Sequence, residues 1–263
     1  MSTLTYAVHD SRTMLRRQLL RAWRYPAMTM VIIAIPVILL LLFVYVFGGT
    51  MGAGITGGAG SRADYANYLL PGILLLSIAT GATSTATSVA MDMTEGIIAR
   101  FKTMAIYRPS VLAGHVIGST TQTMIGLALL IGVGLLVGFR PTATPVEWLA
   151  VAGLLVAISV AIVWLSVALG LSAKTVEGAS NLPMPLILLP FLGSGFVPTE
   201  SMPTAVQWFA EHQPFTPMME TLRGLLLGMP IGNDGWIAVG WCVVITVVGY
   251  VWARRLYNRD PSR

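Results

Sequence analysis

The chain has 263 residues, of which 55% are hydrophobic and only 10% charged, with 16 Lys and Arg against 11 Asp and Glu. Soluble domains carry about 25% charged residues, so too few charges exist here to cover a soluble surface, and the apolar excess equally excludes a disordered chain. A mean hydropathy of +0.76 completes the case for an integral membrane protein. In that setting the net charge of +5 concerns topology, and no nucleic-acid partner is implied.

The N-terminal stretch 1–25 contains SRTMLRRQLLRAWRYP. Its periodicity predicts an amphipathic helix in the inner interface, with Met14, Leu15, Leu19, Ala22 and Trp23 on one face and Arg12, Arg16, Arg17 and Arg24 largely opposite. Both a positive-inside anchor and a docking element for a cytoplasmic partner fit this pattern. Spans of about 20 apolar residues follow at 26–49, 65–91, 111–139, 148–173 and 235–253. The first is too long, and too far from the N-terminus, for a cleaved signal peptide.

A shorter apolar stretch at 182–198 is broken by Pro183, Pro185 and Pro190. Both ends of the chain are rich in Arg, so the positive-inside rule makes both cytoplasmic and requires an even number of spans. The stretch is therefore expected to cross as a fifth span, giving six. Thirteen of the sixteen Lys and Arg then fall inside, leaving Arg62, Arg140 and Arg223 outside. The tail, 254–263, is cytoplasmic in this topology. The one cysteine, Cys242, lies in an apolar run and can form neither an intramolecular disulfide nor a Cys-based metal site.

Between the second and third spans lies MDMTEGIIARFKTMAIYRPS, covering the loop 92–110. Acids come first (Asp92, Glu95) and bases later (Arg100, Lys102, Arg108), which complements a short helix dipole, and Pro109 ends it. The external segment 199–234 holds two amphipathic pieces, 204–211 and 218–228, separated by Pro214 and Pro217. Neither is long enough to cross, and they are expected to be re-entrant or interfacial half-helices. Glu220 and Arg223 stand at i, i+3 and are expected to pair locally.

Catalytic chemistry finds no footing. His9, His115 and His212 are scattered, and no HExxH, CxxC or GxSxG occurs. The two lysines, Lys102 and Lys174, follow Phe and Ala, not the Gly that a phosphate loop needs. The apolar runs hold no Asp, Glu, Lys or Arg, which argues against a proton-coupled carrier. They do hold small polar stripes: Ser77, Thr80, Ser84 and Thr87 in the second span, and His115, Ser119, Gln122 and Gly126 in the third. Close helix packing and a cavity for an amphipathic substrate both fit these stripes. His115 is expected to be a hydrogen-bonded interface residue.

The basic pre-span helix, EGIIARFKTMAIYRPS, and FLGSGFVPTESMPTAVQWFAEHQPFTPMMETLRGLLLG together resemble the type-2 permeases of ABC transporters, in the branch of daunorubicin-resistance exporters. The resemblance covers nearly the whole chain. It implies an all-α integral membrane protein with six transmembrane helices, an N-terminal interfacial helix, a cytoplasmic coupling helix and external re-entrant half-helices after the fifth span. Glu95, Gly96, Arg100 and Pro109 match the coupling helix that sits on the ATPase, and Lys102 belongs to the same helix. Ser194, Gly195, Pro198, Pro203, His212, Pro214, Arg223 and Gly224 match the pattern of the fifth span and external helices.

The implied machine joins two permease subunits, identical or not, to a cytoplasmic dimer of ABC ATPase subunits. ATP and magnesium are bound by that partner, and this chain binds no cofactor and is not itself an enzyme. The second and fifth spans are placed on the substrate path, with Thr80, Ser84, Thr87, Met184 and Leu188 lining it and Phe191 and Leu192 as an external gate. The substrate class is an amphipathic drug or lipid, moved across the inner (plasma) membrane. An ion-coupled secondary transporter, an exporter of cell-envelope glycan or teichoic acid, and a membrane assembly or receptor protein are the competing readings.

Overall fold

A computed structural model describes residues 26–56, 60–96 and 108–258. The expected N-terminal amphipathic helix, the body of the coupling helix with Arg100 and Lys102, and the end of the tail lie outside these residues. The described chain is helical throughout, without strands.

Helix α1 (Pro26–Leu42) runs through a wide turn at Phe43–Phe47 into α2 (Gly48–Thr56), followed by α3 (Arg62–Thr94), α4 (Arg108–Val137) and α5 (Pro145–Ser172). Then come two short helices, α6 (Val176–Asn181) and α7 (Met184–Leu188), then α8 (Thr204–His212) and α9 (Phe215–Leu227), and finally α10 (Asp234–Tyr257). Five helical stretches are long and apolar enough to cross a membrane, and they match five of the six expected spans: Ile33–Ile55, Arg62–Thr94, Leu112–Val137, Pro145–Ser172 and Asp234–Tyr257.

Local chemistry sets the ends of these helices. Ser61 and Asp64 form a reciprocal capping box at the start of α3, and Thr144 and Glu147 form another at α5, where Pro145 opens the helix. α10 carries Asp234 in its first turn and Arg254 and Arg255 in its last, as the helix dipole favours. α3 ends where Gly96 takes a left-handed conformation (φ 69°), donating its N–H to the Met93 carbonyl.

α3 is the central helix, packed by α1, α2, α4, α5, α6, α7 and α9. Its outer half, from Tyr65 to Ala79, is almost continuously buried. Small residues let backbones approach it: a Cβ on Gly170 of α5 would lie 2.5 Å from the Ala86 carbonyl oxygen, and one on Gly72 would lie 2.7 Å from Gly195 Cα. α10 docks on α5 in the same way, through Gly249 against Leu165. The apolar side chains of α10, including Val243, Val247 and Val251, face outward, as a helix against lipid requires.

Two elements differ from the sequence expectation. The first span does not stop at 49: the Gly-rich GGTMGAGIT remains helical to Thr56, because a Gly-rich stretch in an apolar setting has no better use for its backbone hydrogen bonds than the helix. The stretch 182–198 is not one long helix. α7 is five residues long, and turns carry the chain on to Phe196. Pro183, Pro185 and Pro190 remove donors and Gly193 and Gly195 lower helix propensity, so the ladder cannot continue. The segment nonetheless runs along α3. α7 packs on α3, Gly195 meets Gly72, and at Tyr65 Phe196 accepts a hydrogen bond from the tyrosine hydroxyl.

Candidate functional site

Three polar assemblies sit on α3. At mid-helix, a small, partly open groove of about 30 Å³ separates α3 from α4. Ser77, Gly81, Ser84 and Thr85 line one wall, Ser119, Gln122, Thr123 and Gly126 the other, and Ile33 of α1 borders it. Glycines and short hydroxyl side chains keep the two helices from filling the space with bulk. Hydroxyls inside a membrane helix commonly bond back to their own backbone, as Thr80 does to Ser77, Thr85 to Gly81 and Thr87 to Thr83. Ser77, Ser84, Ser119 and Thr123 have no side-chain hydrogen bond among the described residues. An unpaired hydroxyl away from water costs about 1–3 kcal/mol, so the groove favours whatever can hydrogen-bond inside it.

At the N-terminal end of α3, a latch joins α3, the broken segment and α9. Arg223 is only 4% exposed. It donates to Glu220 Oε1, to the Ser194 carbonyl at 2.8 Å and to the Tyr68 carbonyl at 3.2 Å, and its guanidinium lies 3.9 Å from the centre of the Tyr68 ring. The Tyr68 hydroxyl donates to the same Ser194 carbonyl at 2.8 Å. Gln213 donates to the Leu189 carbonyl at 2.9 Å, and the buried Thr216 hydroxyl donates to the Ala210 carbonyl. These donors supply what the broken segment lacks, since carbonyls freed from a helix at membrane depth need partners from the protein. The expected Glu220–Arg223 pair is present, and it is one contact among four made by that guanidinium.

At the C-terminal end of α3, Asp92 Oδ2 lies 3.1 Å from His115 Nε2, with both side chains 3% exposed. Asp92 therefore belongs to the last turn of α3, not to the start of the coupling helix, and Glu95 is the cap that follows it. A carboxylate at a helix C-terminus opposes the dipole; its pairing with α4 offsets that and ties α3 to α4. His115 is the hydrogen-bonded interface residue expected from its position.

The remaining candidates divide. Glu95 and Gly96 end α3, with Glu95 exposed, and Pro109 lies in the first turn of α4. Of the hydroxyls assigned to a path, Ser84 lines the groove, whereas Thr80 and Thr87 are bonded to their own helix. Met184 and Leu188 on α7 and Phe191 and Leu192 after it are exposed and are not among the groove-lining residues. Phe191 stacks on Phe196 at 4.4 Å, and Phe196 in turn packs on Phe43 at 5.2 Å. Tyr68, Gln213 and the Asp92–His115 pair escaped the sequence reading. The HQP motif held a signal for Gln213, but no local pattern announced Tyr68 or the Asp92–His115 pair.

The described residues form a helical membrane protein with polar stations along a central span and a broken segment packed on it. Residues 10–227 match the family described as ABC-2 type transporter, and the chain belongs to that family of permeases. It is 30% identical over 227 residues to the daunorubicin resistance ABC transporter permease protein DrrB1 of Streptomyces coeruleorubidus, covering 84% of this chain and 76% of the relative. It is 28% identical over 193 residues to the probable doxorubicin resistance ABC transporter permease protein DrrC of Mycobacterium tuberculosis, covering 69% of this chain and 68% of the relative.

Proposed function

We propose that this chain is the membrane subunit of an ATP-driven exporter of amphipathic drug-like or lipid-like molecules. It works with a second permease subunit and a cytoplasmic ATPase dimer that binds the ATP and magnesium. Membership of the ABC-2 family over residues 10–227 carries the reading, and the names of both relatives point to drug resistance. The chain itself performs no catalysis in this scheme. It resides in the plasma membrane with both termini cytoplasmic.

Six crossings fit this arrangement. The broken segment lies against α3 through α7, with Gly195 beside Gly72, Ser194 beside Tyr68 and Phe196 beside Tyr65. Its exposed Met184, Leu188, Phe191 and Leu192 offer the adaptable apolar surface that a path or gate between two permeases requires. Thr80, Ser84 and Thr87 add hydroxyls on α3.

The coupling helix is the loop after Gly96, with Glu95, Arg100 and Lys102 meeting the ATPase and Pro109 opening α4 behind it. The Asp92–His115 pair braces the helices on either side. Replacing Arg100 with Glu in the reconstituted complex should lower substrate-stimulated ATP hydrolysis while leaving insertion intact. Unchanged stimulation would refute the assignment of the coupling helix. Transport that follows an ion gradient and ignores ATP would instead favour a secondary carrier.

A further inference from the structure

The groove between α3 and α4 lies opposite the side of α3 that carries the broken segment, so it is separate from any path along that segment. From Tyr65, Tyr68 and Gly72, which face the broken segment, to Ser77, Gly81 and Ser84, which face α4, the helix turns through roughly half a circle at 100° per residue. Three observations characterise the groove. Ser77 is 7% exposed, yet its hydroxyl has no hydrogen-bond partner among the described residues and borders the open space. Ser84, Ser119 and Thr123 are likewise unbonded through their side chains, in contrast to Thr80, Thr85 and Thr87 beside them. No Asp, Glu, Lys, Arg or His is among the described residues lining it.

From these we infer that the groove is a binding site, within one permease subunit, for the uncharged hydrogen-bonding head of an amphipathic molecule, such as a glycerol, hydroxyl or ester group. Hydroxyls both donate and accept, so they suit a head of that kind. A cation or phosphate would enter a mid-membrane groove with no counter-charge and bear its full desolvation penalty. The bordering Ile33 offers the tail an apolar contact. The site would thus discriminate by the head's charge, whereas apolar contacts alone discriminate weakly.

Photolabelling in membrane vesicles carrying the full chain tests this. Two probes of equal tail length, each with a diazirine next to the head, are compared: a monoacylglycerol and an alkyl trimethylammonium. A free lipid holds its head at the interface, so headgroup-proximal label at mid-span reports occupation of the groove. The monoacylglycerol should label 77–85 and 119–126, and the cation should not.

A Cβ at Gly81 would stand 3.4 Å from Thr123 Oγ1, meeting a side chain and not a backbone. Gly81→Val should therefore fill the groove and abolish mid-span labelling. The milder pair Ser84→Ala with Ser119→Ala should lower it about 30-fold, the affinity equivalent of two hydrogen bonds. Equal labelling by both probes, absence of mid-span label, or label indifferent to both sets of variants would overturn the inference. The labelling needs neither nucleotide nor ATPase, so its failure is distinct from failure of the transport reading.

Discussion

Removing the Arg223 guanidinium should loosen the outer face of the molecule more than any other single truncation there. Arg223→Ala deletes a side chain that is 4% exposed and bonded to two carbonyls from distant segments, Tyr68 and Ser194. It also strands Glu220, although that carboxylate is 35% exposed and can turn toward water. Breaking a buried ionic contact by removing one partner costs about 3–5 kcal/mol, and the partial exposure of Glu220 favours the lower half of that range. At about 2–4 °C per kcal/mol, the apparent melting temperature in detergent should fall by roughly 6–16 °C. Arg223→Lys keeps the charge but loses the fork that reaches both carbonyls, and should forfeit about half as much. The double variant Arg223→Met with Glu220→Gln should recover part of the loss, because no charge is left stranded. A shift below 2 °C for Arg223→Ala, or equal loss in Arg223→Ala and Arg223→Lys, would refute the latch.

Cysteines placed at Ser61, Thr142 and Thr204 should react with an impermeant thiol reagent from outside, and those at Ser2, Thr175 and Ser262 only after permeabilisation. External labelling at Ser262 would leave five crossings. Asp92→Leu leaves His115 without its carboxylate and should lower the melting temperature by several degrees, while Asp92→Asn keeps an acceptor and should lose less; equal losses would show that the hydrogen bond contributes nothing. Phe191→Ala removes a ring stacked on Phe196, a contact worth about 0.5–1.5 kcal/mol. As a gate residue its loss should cause substrate leak or uncoupled ATP hydrolysis, whereas normal coupled transport with only a lower melting temperature would assign it to packing.

What the sequence made legible was whatever is encoded locally or by composition. Apolar runs of spanning length mark five long helices, and hydroxyl and glycine spacing marks the faces of α3 and α4 that meet. Contacts between distant segments were not legible. Arg223 shows a partner three residues away, and nothing near it announces carbonyls at positions 68 and 194. Asp92 stands just outside an apolar run, so it reads as the first acid of the next helix; only the approach of α4 makes it a buried partner of His115. The helical GGTMGAGIT was hidden for a different reason: propensities measured in water undervalue glycine where no water competes for the backbone.

The three polar stations share α3, and their placement on it is not arbitrary. Counting 100° per residue from Tyr65, the latch residues Tyr68 and Gly72 stay within about 60° of it, while Ser77, Gly81, Ser84 and Asp92 gather on the opposite side. One face of the helix thus holds the broken segment, and the other holds α4 through the groove and the Asp92–His115 pair. The broken segment is fastened by side-chain donors at Tyr65, Tyr68, Gln213 and Arg223, not by its own helical ladder. A continuous helix would have to unwind to change its path, losing several backbone bonds together. A segment held by a few turn bonds and side-chain donors can exchange them one at a time. Movement of α3 as a body would alter the latch and the brace together, because both are anchored to the same uninterrupted helix between Arg62 and Thr94.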